Sequence, residues 1–569
     1  GLSPDATGEF LFSLFAVIGI SLLLSWALGL TVTPLLGHYF FKHGHADAAD
    51  AYSGPLFRIY AASLRLALRL RWLVVAALVV VTVASYWGFG QVRQQFFPDS
   101  NTPIFFLHYQ LPQGTPIETT SEHMAVFEAW LAEREDVTSV ATFIGQGATR
   151  FMLTYAAEAP NPSYGHLIIR TETLDQIPGL QADLDAFGDA AFPDSEIRTA
   201  RLVFGPGGGD PIAVRFSGSD PTVLRDLADQ ATDVMQAASV NILAPRHNWR
   251  EQEIVLRPLY ATDRAQAAGI TRDDITYAMR LTTDGVTAGT YRENERLIPI
   301  IVRVPPGDGL TVLDQVVYSP VDGNPIPMEQ VVEGMGYEVQ NTLIHRRNRV
   351  QTITVGASIP TDRTAAEVHA EIREAVEAIP LPVGYAMEWG GEFESSNEAN
   401  ASLGSQLPVT VLIMVLISVL LFNALRQPLI IWLLVPMSVN GVTLGLLGTG
   451  LPFSFTALLG LLSLSGMLIK NGIVLVEEID LVRAEGVPLR EAIVTASTSR
   501  LRPVVLAATT TILGMAPLLS DAFFMSMSVT IMGGLAFASV LTMVAAPVFY
   551  DLFFTLEERR RIAAQKAAA

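Results

Sequence analysis

The stretch LLGLLSLSGMLIKNGIVLV, Leu458–Val476, is apolar but for two serines, an asparagine and Lys470. About 20 apolar residues in a helix match the thickness of a bilayer's hydrocarbon core. The stretch therefore reads as a transmembrane helix with a cation inside it. Six more stretches have the same character, near Phe10–Leu36, Trp72–Phe89, Leu407–Leu425, Leu429–Leu447, Pro503–Leu519 and Met525–Phe553. With Phe453–Val476 they predict a multi-pass α-helical bundle of seven spans.

Composition agrees with that reading. Half of the 569 residues are hydrophobic and only 16% are charged, an unusual balance for a soluble protein. The net charge of −19 speaks against nucleic acid, whose phosphates need clustered Lys and Arg. The absence of cysteine excludes disulfides, thiolate metal sites and cysteine nucleophiles. No nucleophile–base–orienter set or metal constellation marks an enzyme.

Basic residues give the orientation. Lys42, Arg58, Arg65, Arg69 and Arg71 follow the first span, Arg483, Arg490, Arg500 and Arg502 follow the fifth, and Arg559–Arg561 follow the seventh. The connections GTGLPFS and SDAFFMS carry none. By the positive-inside rule the basic loops are cytoplasmic, which puts residues 91–406 outside the cytoplasm as one large domain. Within the cytoplasmic linker 38–71, Leu56, Tyr60, Leu64 and Leu68 recur every four residues opposite Arg58, Arg65 and Arg69. That pattern predicts an amphipathic helix on the membrane face.

The outer domain alternates short strands with capped helices. Helix starts are expected at Thr115–Glu118 (a capping box), Asp220–Pro221, Thr271–Asp274 and Thr364–Glu367. Strands are expected at Ile104–Leu111, His166–Arg170, Ile212–Phe216, Ile298–Val304 and Val350–Ala357. Repeated β-α-β units of this size predict ferredoxin-like α+β modules, the second interrupted by an insertion.

Lys470 lies about six residues, roughly 9 Å, from the Val476 end of its span. Its side chain either snorkels to the interface or pairs with an anion, because a lone charge at that depth costs about 2.5–3.5 kcal/mol on insertion scales. None of the seven stretches holds an Asp or Glu in its interior: Glu9, Glu477, Glu478, Asp521 and Asp551 fall at or near ends. The favoured reading is a pair whose anionic half lies outside this chain.

The motifs QQFFPDSN (Gln94–Asn101), LPQGTPIE (Leu111–Glu118), Gly460–Glu477 and RLRP (Arg500–Pro503), in this order around a large outer loop, resemble the C-terminal half of a resistance-nodulation-division (RND) efflux permease. The likeness runs from that family's sixth transmembrane helix (1–37) and seventh (72–90) to the last five (407–554), with a cytoplasmic tail at 555–569. It implies porter subdomains at 97–204 and at 209–257 with 349–389, and a docking-like subdomain at 258–346. It further implies proton antiport without a cofactor, export of small molecules in the manner of multidrug pumps, and a place in the bacterial inner membrane. The implied partners are an N-terminal half carrying intramembrane aspartates, two further copies in a homotrimer, a periplasmic adaptor, an outer-membrane channel and membrane lipids.

By the same resemblance, Lys470 pairs with those aspartates in a proton relay, with Asn471 beside it and Arg500 at its cytoplasmic mouth. The family's relay threonine aligns with Ala507, so Thr510 or Thr511 would stand in. Back-bonding to the helix is the alternative use of those hydroxyls, and a positive-inside anchor is the alternative for Arg500. The substrate loop matches FIGQGATRF, which points to Phe143, Gln146 and Phe151 as pocket residues, with core packing as their alternative.

Other features deflate. FGPGGGDP (Phe204–Pro211) lacks the Lys-Ser/Thr of a phosphate loop and reads as a linker. His38, His43 and His45 sit in a polar loop without ligand spacing. The methionines of the outer domain are scattered, which speaks against a soft-metal cargo. A non-transport member of the superfamily, a protein-translocation accessory or a sensor, is the alternative function. The size of the outer domain favours the pump.

Overall fold

The structure is a computed structural model that describes residues 6–40, 54–152, 155, 157–205, 209–304 and 314–568. His43, His45 and the centre of the glycine-rich linker lie outside the described residues. The chain divides into two compact units, Trp249–Ile344 and the remainder.

The larger unit begins with three helices, α1 (Ala6–Phe40), α2 (Pro55–Arg69) and α3 (Arg71–Phe89). A sheet follows, built from β1 (Ile104–Gln110), β2 (Val137–Ile144), β3 (Tyr164–Thr171) and β4 (Glu196–Arg201) in the antiparallel order β2-β3-β1-β4. The connections α4 (Ile117–Ala132) and α5 (Ile177–Ala191) cover one face. Alternation along β1 sorts its side chains: Phe105, Leu107 and Tyr109 pack under the helices, while Phe106 enters a second small core with Ala148, Tyr155 and Leu202. Thr115 does not cap α4. Its amide and hydroxyl both close a turn on the Pro112 carbonyl, and the N-cap position falls to Pro116.

A second sheet contains β5 (Ile212–Gly218), β6 (Leu243–His247) and, after the smaller unit, further strands. Helix α6 (Pro221–Ala238) follows β5, and Asp220 caps it by accepting from the Thr222 amide.

The smaller unit, taken by itself, pairs β7 (Glu253–Tyr260) with β12 (Val332–Gln340). Between them come α7 (Thr262–Ala267), α8 (Arg272–Thr282), the hairpin β8 (Val286–Glu293) and β9 (Arg296–Val302), the pair β10 (Val316–Tyr318) and β11 (Pro325–Pro327), and α9 (Met328–Val331). The helix start expected at Thr271–Asp274 forms, closed by a capping box between the two residues. Its core holds Ala265, Ile270, Ile275, Met328 and Val331. The β8–β9 hairpin instead leaves Leu297, Ile298, Ile300 and Ile301 exposed.

The larger unit resumes with β13 (Arg346–Arg347), β14 (Val350–Ser358), α10 (Ala365–Glu377, capped by the Thr364–Glu367 box) and β15 (Ala386–Gly390), completing the order β13-β14-β5-β15 with β6 on β14. Then come α11 (Gly391–Phe422), α12 (Arg426–Leu434), α13 (Val439–Thr449), α14 (Phe455–Ala484), α15 (Leu489–Met515) and α16 (Ala522–Ala568). The fourth span is broken between α12 and α13 by a 3-10 turn starting at Pro436, where proline removes a ladder hydrogen bond.

Among the described residues, seven helical stretches are long and apolar enough to cross a membrane. They differ in packing. Helices α13 and α16 approach so closely that a Cβ on Gly441 would lie 2.3 Å from the Gly533 carbonyl oxygen, the small-residue contact that membrane helices use. By contrast α1 buries almost none of its apolar surface.

Helix α2 forms where expected, with a buried face that differs in part from the expected one. Phe57, Leu64 and Leu68 are buried against α15 and α16, and Tyr60 donates to the Met543 carbonyl at 2.8 Å. Leu56 is exposed. A four-residue repeat overshoots the 3.6-residue turn, so Leu56 rotates off the face that Phe57 occupies.

Candidate functional site

Helix α14 has two faces with different chemistry. Gly460, Leu464, Leu468, Gly472, Leu475 and Ile479 are buried, and the glycines let neighbours close in: a Cβ on Gly472 would lie 3.1 Å from Ile431. Ser463, Lys470 and Glu477 are exposed, at seven-residue spacing along one seam, and Gly466 on the same seam has open space before it. Lys470 makes no ion pair or hydrogen bond with any described residue. Asn471 beside it is half-buried, and its side chain also lacks a hydrogen bond among the described residues.

Helix α15 does not bring its hydroxyls to Lys470. Thr510 donates to the Leu506 carbonyl at 2.9 Å and Thr511 to that of Ala507 at 2.9 Å. Both hydroxyl protons are satisfied within the helix, which is the back-bonding alternative. Arg500 pairs with Glu478 on α14.

The carboxylates near the helix ends form a network that sequence reasoning missed. Asp551, 1% exposed, pairs with Arg71 at 2.7 Å and Arg490 at 3.4 Å. Asp480 accepts from Gln427 at 3.0 Å and from the Tyr550 hydroxyl, to which Arg483 donates at 3.0 Å. The arginines assigned to the basic loops are the signal that was available. Their partners are up to 480 residues away in sequence, so no local pattern joins them.

The loop after β2 folds back over the open face of the first sheet. Gly145 has φ +74°, and a Cβ there would strike Ile117 at 2.6 Å; one on Gly147 would meet the Glu158 amide at 2.8 Å. Close backbone approach thus requires both glycines. Phe143 is half-buried with its ring 6.0 Å from that of His166, Phe151 is half-exposed against Tyr155 at 4.8 Å, and Gln146 is exposed. Beneath the loop, His108 and His166 face each other across β1 and β3 and stack at 4.9 Å. The His108 Nδ1 shares a 2.6 Å hydrogen bond with the Tyr164 hydroxyl. His166 is fully buried with neither ring nitrogen hydrogen-bonded, and burial, helped by the Arg198 charge, pushes its pKa down to about 4. It is held neutral. Across the sheet, burial raises Asp185 to about 6.

Among the described residues no three His, Asp or Glu side chains converge as a metal site.

The profile of the AcrB/AcrD/AcrF family matches residues 3–554. The cobalt-zinc-cadmium resistance protein CzcA of Cupriavidus metallidurans is 28% identical over 363 residues, covering 61% of this chain and 34% of that protein. The swarming motility protein SwrC of Bacillus subtilis is 21% identical over 97% of this chain and 53% of its own length. A crystal structure of a heavy metal efflux pump superposes with a TM-score of 0.72 at 19% identity, covering 90% of this chain and 53% of that one. The chain therefore spans between a third and about half of the length of these relatives.

Proposed function

Because the chain belongs to the AcrB/AcrD/AcrF family of RND permeases, we propose that it forms one half of a proton-driven exporter. The observation that carries this reading is Lys470: a cation on an apolar helix, exposed on a seam and without a partner among the described residues. In the complete protein an N-terminal half supplies the carboxylates. When they are ionised they hold Lys470. Protonation from outside releases it, and the helix repacks. The sheets at the outer ends of these helices then alternate between open and closed forms. The exposed apolar β8–β9 hairpin supplies a surface for neighbouring copies in a trimer, with an adaptor and outer channel completing the path through the envelope.

The test uses the complete transporter in proteoliposomes under an imposed pH gradient. Lys470→Ala abolishes gradient-driven export while leaving assembly intact. Undiminished export by that variant sinks the reading.

Two cargo classes compete. Small organic molecules fit the aromatic surroundings of Phe143, Phe151 and Tyr155. Transition-metal cations are favoured by the names of the metal-resistance relatives. Metal-stimulated against organic-stimulated proton flux in the same vesicles separates the two.

A further inference from the structure

At the N-terminal ends of α11 and α14 the larger unit contains a cavity of about 110 Å³, of the same order as cavities that take a benzene-sized ligand. Its walls come from the segment after α3 (Gln94–Phe96), the starts of β5 and α10, and the first turns of α11 and α14. Phe96, Phe393, Phe453 and Phe455 give it aromatic sides. Phe96 and Phe455 are buried and meet edge to face at 5.7 Å, while the Phe393 ring stacks on His369 at 4.1 Å. Packing fixes these sides before anything binds.

One acid lines this aromatic space. Glu392 is half-buried, and one of its carboxylate oxygens accepts from the Phe96 amide at 2.9 Å. That bond holds the carboxylate against the wall but brings no cation. Glu392 forms no ion pair with any described residue. Arg215, beside Gly390, pairs instead with Glu394 at 2.6 Å, and Arg93 donates to the Gly450 carbonyl at 2.9 Å. Residues 206–208, which lie outside the described residues, are Pro-Gly-Gly and carry no charge. His369 is 5% exposed, and burial, helped by the Arg373 charge, pushes its pKa below the ordinary histidine value, which keeps it neutral. Asn400 donates to the Ser396 hydroxyl at 3.4 Å, which leaves its carbonyl oxygen as a further acceptor. The polar part of the lining therefore offers acceptors and a negative charge.

An occupant needs N–H donors, a positive charge and an apolar body. We infer that this cavity binds a small organic cation, a protonated amine carried on an aromatic or aliphatic body. An ammonium donates a charge-assisted hydrogen bond to the carboxylate, and the ring faces attract the same charge. A metal ion fits less well, since protein metal sites need three or more ligands and no three His, Asp or Glu side chains converge among the described residues. The inference concerns binding at this cavity and stands whether or not export is driven by protons.

The test is equilibrium dialysis of the purified protein in detergent against benzylammonium and against benzyl alcohol, its neutral analogue, with binding to protein-free micelles subtracted. The wild type prefers benzylammonium. Glu392→Gln keeps the acceptor for the Phe96 amide and lowers that preference about tenfold, near the low end for a hydrogen bond to a charged group, while Glu392→Asp keeps most of it. Ala366, exposed at the cavity wall, gives a second variant that spares the core: Ala366→Phe fills the space and lowers binding of both ligands. Equal binding of the two ligands by the wild type, or none of benzylammonium at millimolar concentration, overturns the inference. So does an unchanged preference in Glu392→Gln, or undiminished binding in Ala366→Phe, either of which would place the ligand elsewhere.

Discussion

Asp551 and Lys470 are both ionisable groups on long apolar helices of one bundle, and the bundle treats them oppositely. Asp551 is 1% exposed and holds two arginines; Lys470 is exposed and holds no described residue. The acid is a clamp that ties α16 to the base of α3 and the start of α15. On the function proposed above, the lysine is a connection left open for the N-terminal half. The difference teaches that a charge in a membrane helix is not functional merely by being there. Whether its own chain completes it decides the matter.

Removing the clamp has the largest expected effect on the folded chain. Asp551→Ala leaves Arg71, itself largely buried, without its anion, and breaking a buried pair costs about 3–5 kcal/mol. Thermal unfolding in detergent measures it, and a loss below about 1 kcal/mol would mean that Asp551 is no more structural than Lys470.

His166 sharpens the comparison, as a buried group completed by staying neutral. Its folded pKa, about 4, is lowered from 6.5, so the folded state binds fewer protons than the unfolded one between those values. Stability is present above pH 6.5 and is lost as pH falls toward 4, by about 3 kcal/mol at 1.36 kcal/mol per unit. His166→Phe removes that acid loss. Asp185 runs the other way: raised to about 6 from 3.8, it favours the folded state at low pH and loses that contribution as pH rises through 6. Asp185→Asn therefore steepens the remaining acid loss, while an unchanged pH profile in either variant contradicts its assignment.

Arg500 stands between the extremes, paired with Glu478 but partly solvated. Arg500→Ala lowers stability by about 1 kcal/mol or less. A larger fall in export than in stability would return Arg500 to the relay. The smallest stability change belongs to Lys470→Ala, within about 0.5 kcal/mol for this chain, because no interaction with a described residue is lost. A clear destabilisation there would show a partner inside the chain.

Much of the architecture was legible because its signals are local. The apolar runs marked the spans, and the boxes at Thr271 and Thr364 marked helix starts that the structure contains. Local reading failed where the environment decides. Helix α11 starts at Gly391 rather than near Leu407, since its first turns carry Glu392, Glu394 and Glu398 and look polar. Lys470 was legible as an anomaly, and its seam with Ser463 and Glu477 shows in the heptad spacing. The His108–His166 stack depends on cross-strand register, and the Asp551 clamp joins residues from opposite ends of the chain; neither leaves a mark in any short window. Thr510 and Thr511 were legible as hydroxyls, but only the structure shows their protons satisfied by their own helix.

The central claim is that the partner of Lys470 is a carboxylate of another segment, and a zero-length cross-link tests it most directly. The lysines of this chain are Lys42, Lys470 and Lys566, so an amide formed at Lys470 by a membrane-permeant carbodiimide is simple to map by peptide mass spectrometry. In the complete transporter the account predicts a Lys470 amide to an aspartate or glutamate of the N-terminal half, reduced when the pH falls and the carboxylate protonates. An amide from Lys470 to Glu477 or any other acid of this chain, or none to the N-terminal half under conditions where Lys470 reacts with an amine reagent, would contradict it.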